Sequence, residues 1–507
     1  MSQQTQKKGL ARKAVEGMVW LLASSGARAG LSAVVIAILA RLLSPSDFGL
    51  IAAANIVIGF ADIFAYFGIG SALIQGESTE QAHVATGFTA CILTSIGVAL
   101  LTFFLSPLIA QVLNMAELER ILRVLCILFP INSVSAICAS ILQREFNYRK
   151  LAVADITAYL IGYGCTGVLL AYLGFGVWAL VFAGLGLSLL KASILFSLQP
   201  HPLGLTLNRH SLKKLVFYGG GFTVANIFNF TALSADNLIV GRILGAGALG
   251  IYSRAFSMMD TTNGLLGGVL NAVFFPAVAR IQNDRQQLAG ALRRGLTLSG
   301  VVFLPVCVAS IILAPELVRI LLGPKWTGVV LPFRILAAGM YFRLGFITSE
   351  ILARGSGRVY SNAWRQGLYA LLVVLAAWNG CRWGVTGVAF FVTIVIILNF
   401  FAMLQLALKI TGLSVKRISR EACKSCFIAG IIGLEIYCIA HFCREMNVSA
   451  VLCVLLSTIF ASATFLTLLV KRTDFVFGED GNWVLKQLDT YLPMRRFCSG
   501  PLENKNQ

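Results

Sequence analysis

Charge is what this sequence has least of. Only 12% of its 507 residues are Asp, Glu, Lys or Arg, against roughly 25% in a soluble domain, which excludes an ordinary water-facing fold. Acidic residues are scarcer still, 22 against 41 basic ones. The four histidines, His83, His201, His210 and His441, fall in loops or at the ends of apolar runs, which leaves no histidine-based metal or catalytic centre. No polar stretch is long enough to fold alone outside a membrane, so a catalytic domain is excluded and the chain reads as a non-enzyme without cofactor or metal. No basic, aromatic-interleaved segment stands apart from the apolar runs, which excludes nucleic acid as partner despite the net charge of +19.

What is present is apolar: 57% of residues are hydrophobic and the mean hydropathy is +0.81. Runs of about 18 residues or more recur throughout, each able to cross a hydrocarbon core of roughly 30 Å. They are expected to be helical, because lipid offers the backbone no hydrogen-bond partners. The fold class is therefore an all-α polytopic membrane protein with about 14 transmembrane helices, 12 being the alternative count. The expected spans are 15–40, 48–74, 84–111, 120–142, 151–173, 176–198, 212–240, 248–279, 293–322, 329–352, 359–380, 384–409, 422–441 and 448–470. The first run is too long for a signal-peptide core and reads as a retained helix. The tail from Thr473 reads either as a short amphipathic surface helix or as a frayed end.

Basic residues set the orientation. Lys7, Lys8, Arg149, Lys150, Lys213, Arg293, Arg294, Arg358, Lys416 and Arg417 belong to a side carrying 23 Lys and Arg, against seven on the other, where Arg41, Arg242 and Lys325 lie. The positive-inside rule puts both termini in the cytoplasm of a multi-pass inner-membrane protein. Most of the 12 cysteines sit within apolar runs and read as packing residues. Cys423 and Cys426 form a single CxxC without a second pair. Cys381 and Cys443, both in expected outer turns, are the one candidate pairing.

The most informative pattern is an internal repeat. Arg41-Leu-Leu-Ser-Pro-Ser-Asp-Phe-Gly49 and Arg242-Ile-Leu-Gly-Ala-Gly-Ala-Leu-Gly250 both read R-x-L-x5-G, 201 residues apart. Ile141-Leu-Gln-Arg144 matches Ile351-Leu-Ala-Arg354 at 210, and Gly176-Val177 matches Gly384-Val385 at 208. Three matches in one order at near-constant offset make two related six-helix halves. Six is even, so the halves insert alike, about an axis along the membrane normal. The expected organisation is a six-helix bundle over 1–200, a pseudo-symmetric second over 201–410, two further helices over 411–472 and a cytoplasmic tail over 473–507.

Ionisable residues inside spans cost at least ~2.5–3.5 kcal/mol each at the bilayer centre and read as functional. Arg28 and Asp62, on spans one and two, lie about 20–22 Å from their shared turn and are expected to meet. Asp236 and Arg254, nearer the same surface, repeat the pattern. The arginines Arg28, Arg254 and Arg343 are the candidate substrate-binding residues, since guanidinium grips phosphate bidentately. Glu350, two turns from Arg343, is a candidate neutralising partner. Asp62, Asp236 and Asp260 are candidate charge partners or sites for a coupling cation, H+ or Na+. Lys191 reads as a snorkelling lysine, and Glu316 with Arg319 as a local ion pair.

Five segments carry a family likeness: Ala40-Arg-Leu-Leu-Ser-Pro-Ser-Asp-Phe-Gly-Leu50, Phe67 to Gln75, Leu142 to Lys150, Asp236 to Gly245 and Gly250 to Phe256. In this order they resemble bacterial polysaccharide exporters of the multidrug/oligosaccharidyl-lipid/polysaccharide superfamily. The nearest likeness is to the colanic acid and teichuronic acid exporter branch, related to the O-antigen flippases, over about residues 10–410. The resemblance implies a V-shaped pair of bundles around a cationic cavity. It implies an undecaprenyl-diphosphate-linked oligosaccharide as substrate, moved for polysaccharide biosynthesis by alternating access, with membrane lipids around it and an ion or potential gradient behind it. In related lipid II flippases, arginines on the first and eighth helices serve the cavity, and Arg28 and Arg254 occupy comparable places. The last two helices there form a lipid-tail groove; spans 13 and 14 here are less recognisable. An ion-coupled drug or cation antiporter of the same superfamily is the alternative, and its cargo favours an acidic, aromatic-lined pocket over three arginines.

Overall fold

The computed structural model describes residues 2–66, 81–200, 206, 208–282 and 284–471. The Phe67–Gln75 motif and the tail from Thr473 lie outside them. Among the described residues the structure is helical, without strands. By length and apolarity 11 helices among the described residues are able to cross a membrane, or 12 if one bent pair counts as a span.

The first part of the chain gives α1 (Ser2–Leu42), α2 (Pro45–Tyr66), α3 (Gln81–Leu113), α4 (Ala116–Leu125) and α5 (Leu128–Arg144). The turn between α1 and α2 is tight because Ser44 and Asp47 cap each other. The Ser44 backbone N–H and hydroxyl donate to Asp47 Oδ2 at 2.9 and 2.7 Å, and the Asp47 N–H donates to Ser44 Oγ at 3.3 Å, the reciprocal arrangement of a capping box. The expected span 120–142 is instead two helices bent by 42°. α4 is amphipathic, burying Leu118, Ile121, Leu122 and Leu125 while Glu119 and Arg123 pair at 2.7 Å on its outer face. Only together are α4 and α5 long and apolar enough for one crossing.

α6 (Tyr148–Thr157), a π-helical segment (Ala158–Cys165) and α7 (Thr166–Tyr172) form one continuous crossing, followed by α8 (Val177–Leu198). α8 packs closely on the π segment, because Gly162 faces Gly186 there. A Cβ on Gly162 would sit 2.6 Å from the Gly186 carbonyl oxygen.

α9 (Arg209–Arg280) joins spans seven and eight in 72 residues. At 1.5 Å per residue that is roughly 108 Å, far beyond one crossing, and it breaks at Gly245 (φ 84°, ψ 178°), a conformation glycine adopts without steric cost. Next come α10 (Arg285–Ile312) and the short α11 (Ala314–Leu321). A 3-10 turn (Pro324–Val329) leads into α12 (Val330–Gly355). α13 (Val359–Gly380) and α14 (Gly384–Thr411) form one apolar stretch of 52 residues, turned at Gly384 (φ 68°). α15 (Val415–Glu445) and α16 (Ala450–Lys471) complete the described chain.

The helices group into two compact units. Unit one comprises Met1–Thr261, Leu321–Pro332 and Gln366–Val392; unit two comprises Thr262–Ile320, Phe333–Arg365 and Thr393–Gln507. In unit two α15 packs along α10 and against α16 through a core that includes Val301, Leu313, Ile428, Ile432 and Ile436. Cys381 and Cys443 are both free thiols, in unit one and unit two respectively, so the candidate disulfide is absent.

Candidate functional site

Two of the three candidate arginines meet in unit one. α1 packs on α6, the π segment and α7, whereas α2 packs on α3, α4 and α8. Arg28 therefore turns toward the π segment: it is exposed, with its guanidinium carbon 5.5 Å from the centre of the Tyr159 ring. One turn on, Ser32 Oγ accepts a hydrogen bond from the Tyr159 hydroxyl at 3.1 Å, which fixes the ring. Tyr159 stacks on Tyr163, centroids 5.2 Å apart and planes 16° from parallel. In a π-helix the i→i+5 hydrogen bonds widen the turn, bringing residues four apart nearly into line.

Arg254 closes the site from α9. Its guanidinium carbon lies 4.9 Å from the centre of the Phe48 ring, both tyrosines are within its electrostatic reach, and its Nε is buried without a hydrogen-bond partner. Phe48 is held in turn by the edge of Trp326, 5.3 Å away, whose indole N–H donates to the Ala40 carbonyl at 2.8 Å. Cation–π contacts of this kind stabilise by about 0.5–2 kcal/mol and leave the planar N–H donors available to an anion.

The expected charge pairs do not form. Among the described residues no ion pair joins Arg28 to Asp62. Asp62 points from α2 with its Oδ1 buried and unpartnered, because α1 and α2 turn toward different neighbours. Asp236 is held by Tyr252 instead of Arg254: the Tyr252 hydroxyl donates to Oδ2 at 2.7 Å and the Asn237 N–H donates to Oδ1 at 2.8 Å. That shell leaves Asp236 only 2% exposed. Asp260, also in unit one, is half-buried and engaged by neighbouring groups.

Arg343 belongs to unit two, where it is half-buried and likewise engaged. Glu350 faces Arg354 at 3.7 Å, not Arg343, since four residues bring two side chains onto one helix face more closely than seven. Glu316 reaches across to Arg444 on α15 in a two-pronged contact of 2.8 and 3.0 Å, not to Arg319. Lys191 pairs with Asp155 on α6 at 2.6 Å.

Sequence reasoning missed Asp155, Tyr159, Tyr163 and Phe48. A signal was present for three of them: Asp155, Tyr159 and Tyr163 recur every fourth residue, the spacing of one helix face. Their partners, Lys191 on α8, Arg28 on α1 and Arg254 on α9, come from other helices and leave no mark in the local sequence.

Known proteins align with this architecture. Residues 38–331 match the family described as polysaccharide biosynthesis protein. The lipopolysaccharide biosynthesis protein WzxC of Escherichia coli (strain K12) is 25% identical over 413 residues, covering 78% of this chain and 82% of that protein. The teichuronic acid biosynthesis protein TuaB of Bacillus subtilis (strain 168) is 21% identical, covering 81% and 86%. In three dimensions the lipid II flippase MurJ, in an inward closed conformation, superposes with a TM-score of 0.67 at 16% identity, covering 90% of this chain and all of that one. The match over residues 38–331 takes in both R-x-L-x5-G turns and both aromatic arginine partners Phe48 and Tyr159, and with it this multi-pass membrane protein belongs to the polysaccharide biosynthesis protein family.

Proposed function

We propose that the protein translocates a lipid-linked oligosaccharide across the inner membrane for polysaccharide biosynthesis, by alternating access, with Arg28 and Arg254 neutralising the diphosphate that joins sugar to lipid. The observation that carries this reading is the company the two guanidinium groups keep. Each lies on an aromatic face, and neither makes an ion pair with a carboxylate among the described residues. Two intramembrane cations without counter-ions repel a cationic drug and attract an anion, and a diphosphate supplies the charge and bidentate geometry they lack. The relatives' names, in lipopolysaccharide and teichuronic acid biosynthesis, and that of the lipid II flippase support the same class of cargo.

The rest of the design follows from that reading. The breaks at Gly245 and Gly384 divide the long helices into separate crossings, giving fourteen, with six-helix halves over 1–200 and 201–410, two further helices over 411–472 and both termini cytoplasmic. Arg343 is a further contact for the cargo, and Asp62, Asp236 and Asp260 are the candidates for a coupling H+ or Na+. The protein works as a transporter, not an enzyme.

Complementation tests this reading. In a strain lacking its own exporter for the same polysaccharide, the wild-type chain restores surface polymer, and Arg28→Ala or Arg254→Ala leaves lipid-linked repeat units on the cytoplasmic face. Normal export by both variants, expressed at wild-type level, overturns it.

A further inference from the structure

The crossing formed by α6 and the π segment carries a series that the arginines alone do not explain. Asp155, Tyr159 and Tyr163 stand at successive four-residue steps beside cations: Asp155 faces Lys191 at 2.6 Å, Tyr159 faces Arg28 at 5.5 Å, and both tyrosines lie within the field of Arg254. Depths agree at the two tyrosines. Tyr163 is nine residues from the end of α7 and Arg254 nine from the Gly245 break, ~13 Å each at the helical rise. Tyr159 and Arg28, 13 and 14 residues from their helix ends, both lie at ~20 Å. Lys191, 14 residues into α8, and Asp155, 17 from the end of α7, lie at ~21 and ~25 Å. Measured from their own helix ends, Lys191 and Arg28 thus lie about level, with Arg254 about 7 Å nearer its end.

The contact at Lys191 differs from the other two. Arg28 and Arg254 rest on rings, which do not compete with an incoming anion. Lys191 rests on a carboxylate, which does. The pair is half-exposed: the Lys191 and Asp155 side chains are 33% and 32% exposed, although the Asp155 Oδ1 that meets Lys191 is itself buried, whereas Asp236, the sealed carboxylate of the same unit, is 2% exposed. A pair whose only task is to pin two helices gains most when it is dry and fully hydrogen-bonded; an accessible pair keeps its cation available for exchange.

We propose that Asp155 and Lys191 form an exchangeable counter-ion pair, in which a phosphate or diphosphate displaces Asp155 and takes Lys191 as a third anion-binding cation alongside Arg28 and Arg254. The inference rests on the anionic-cargo reading above and names a binding residue and a gatekeeping carboxylate for it. Lysine suits that exchange, because it meets phosphate as a point charge without the fixed fork of arginine.

The test is titration of farnesyl diphosphate into the full chain in phosphatidylcholine nanodiscs, read by intrinsic tryptophan fluorescence. Asp155→Asn removes the competitor and is expected to tighten binding about two- to fivefold, the strength of a part-exposed ion pair. Lys191→Met is expected to weaken it about tenfold or more, the loss of one charge-assisted contact, and Lys191→Arg to keep most of it. A structural pin predicts the opposite sign for Asp155→Asn, a less stable protein that binds no more tightly. Asp155→Asn that elutes as a folded species and binds like the wild type or more weakly overturns the proposal. So does folded Lys191→Met that binds like the wild type, which keeps the test decisive even if Asp155→Asn fails to fold. If Arg28→Ala abolishes binding while the Asp155 and Lys191 variants leave it unchanged, the exchange pair alone is wrong. If the wild type binds no diphosphate, the anionic-cargo reading falls with it.

Discussion

Gly49 and Gly250 answer each other across the seam between α2 and α9: Gly49 packs on the carbonyl of Ala246, and Gly250 packs on the carbonyl of Pro45. Pro45 and Ala246 are 201 residues apart, as are Gly49 and Gly250. The contact is therefore reciprocal under the exchange of the two repeats, as residues are across an isologous interface. The repeated R-x-L-x5-G turn has a physical purpose: its last glycine lets two backbones touch where a side chain would collide with a carbonyl.

That contact predicts the effect of adding one methyl group. A Cβ at either glycine overlaps backbone, which has no rotamer to escape into. Gly49→Ala and Gly250→Ala are each expected to destabilise the protein by about 1–3 kcal/mol, the usual range for overpacking. Thermal unfolding in detergent reads this. Gly26→Ala serves as the control, since nothing lies within 4 Å of its Cβ position.

The aromatic supports of the arginines predict a graded series. Tyr159→Phe keeps the ring under Arg28 and loses the bond to Ser32, so export is expected to fall only a few-fold. Tyr159→Ala removes the ring too, and with it a cation–π contact of about 0.5–2 kcal/mol, a further two- to thirtyfold in affinity for the cargo. Phe48→Ala is expected to act in the same direction through Arg254. Export assays with matched membrane expression check the order. Equal effects of Tyr159→Phe and Tyr159→Ala contradict a supporting ring.

Much of this was legible in sequence, and the misses share one cause. Hydropathy placed the helices because each crossing must satisfy its own backbone, and the repeat emerged because turn glycines tolerate little else. Arg28 and Arg254 stood out because a cation in lipid is costly. Their partners did not, since sequence spacing gives depth along a helix but not the direction a side chain faces. Arg28 and Asp62 stand at matching distances from their shared turn along the chain, yet α1 presents Arg28 to the π segment while α2 packs on other helices. The π segment itself is invisible to a 3.6-residue periodicity, although the four-residue step from Tyr159 to Tyr163 is not. Glu316 failed for a related reason: its true partner, Arg444, is 128 residues away.

The Glu316–Arg444 contact yields a stability prediction for unit two. Arg444 also donates to the Ile312 carbonyl at 2.9 Å, so it ties the end of α15 to both α10 and α11. Glu316 is 9% exposed and Arg444 40%, which places the pair between surface and buried limits. Glu316→Gln is expected to cost about 1–2 kcal/mol, below the 3–5 of a fully buried pair because solvent screens the arginine. Arg319→Ala, at the position first expected to pair with Glu316, is expected to cost less than 0.5 kcal/mol, the ordinary surface range. A thermal-shift comparison that finds Arg319→Ala the more damaging variant contradicts this assignment.

Acid sensitivity is expected at the start of α10. Asp284 caps that helix, its Oδ1 accepting from the backbone N–H of Gln287 and Gln286 at 3.0 and 2.9 Å and its Oδ2 from the Gln287 side chain at 2.8 Å. The Gln287 backbone bond above all holds the carboxyl below its usual range, as hydrogen bonds to the charged form do. A carboxyl whose folded pKa is depressed binds its proton more weakly in the folded state. Its contribution is therefore complete above the unfolded value of about 3.9 and is lost as pH falls through the lower folded value. Amide exchange in the first turn of α10 is expected to be protected at pH 6 and to accelerate, beyond the intrinsic pH effect, below about pH 4. Asp284→Asn, which caps without titrating, is expected to remove that extra acceleration and leave a pH-independent first turn. Loss of protection at the same pH in Asp284→Asn places the acid-sensitive group elsewhere.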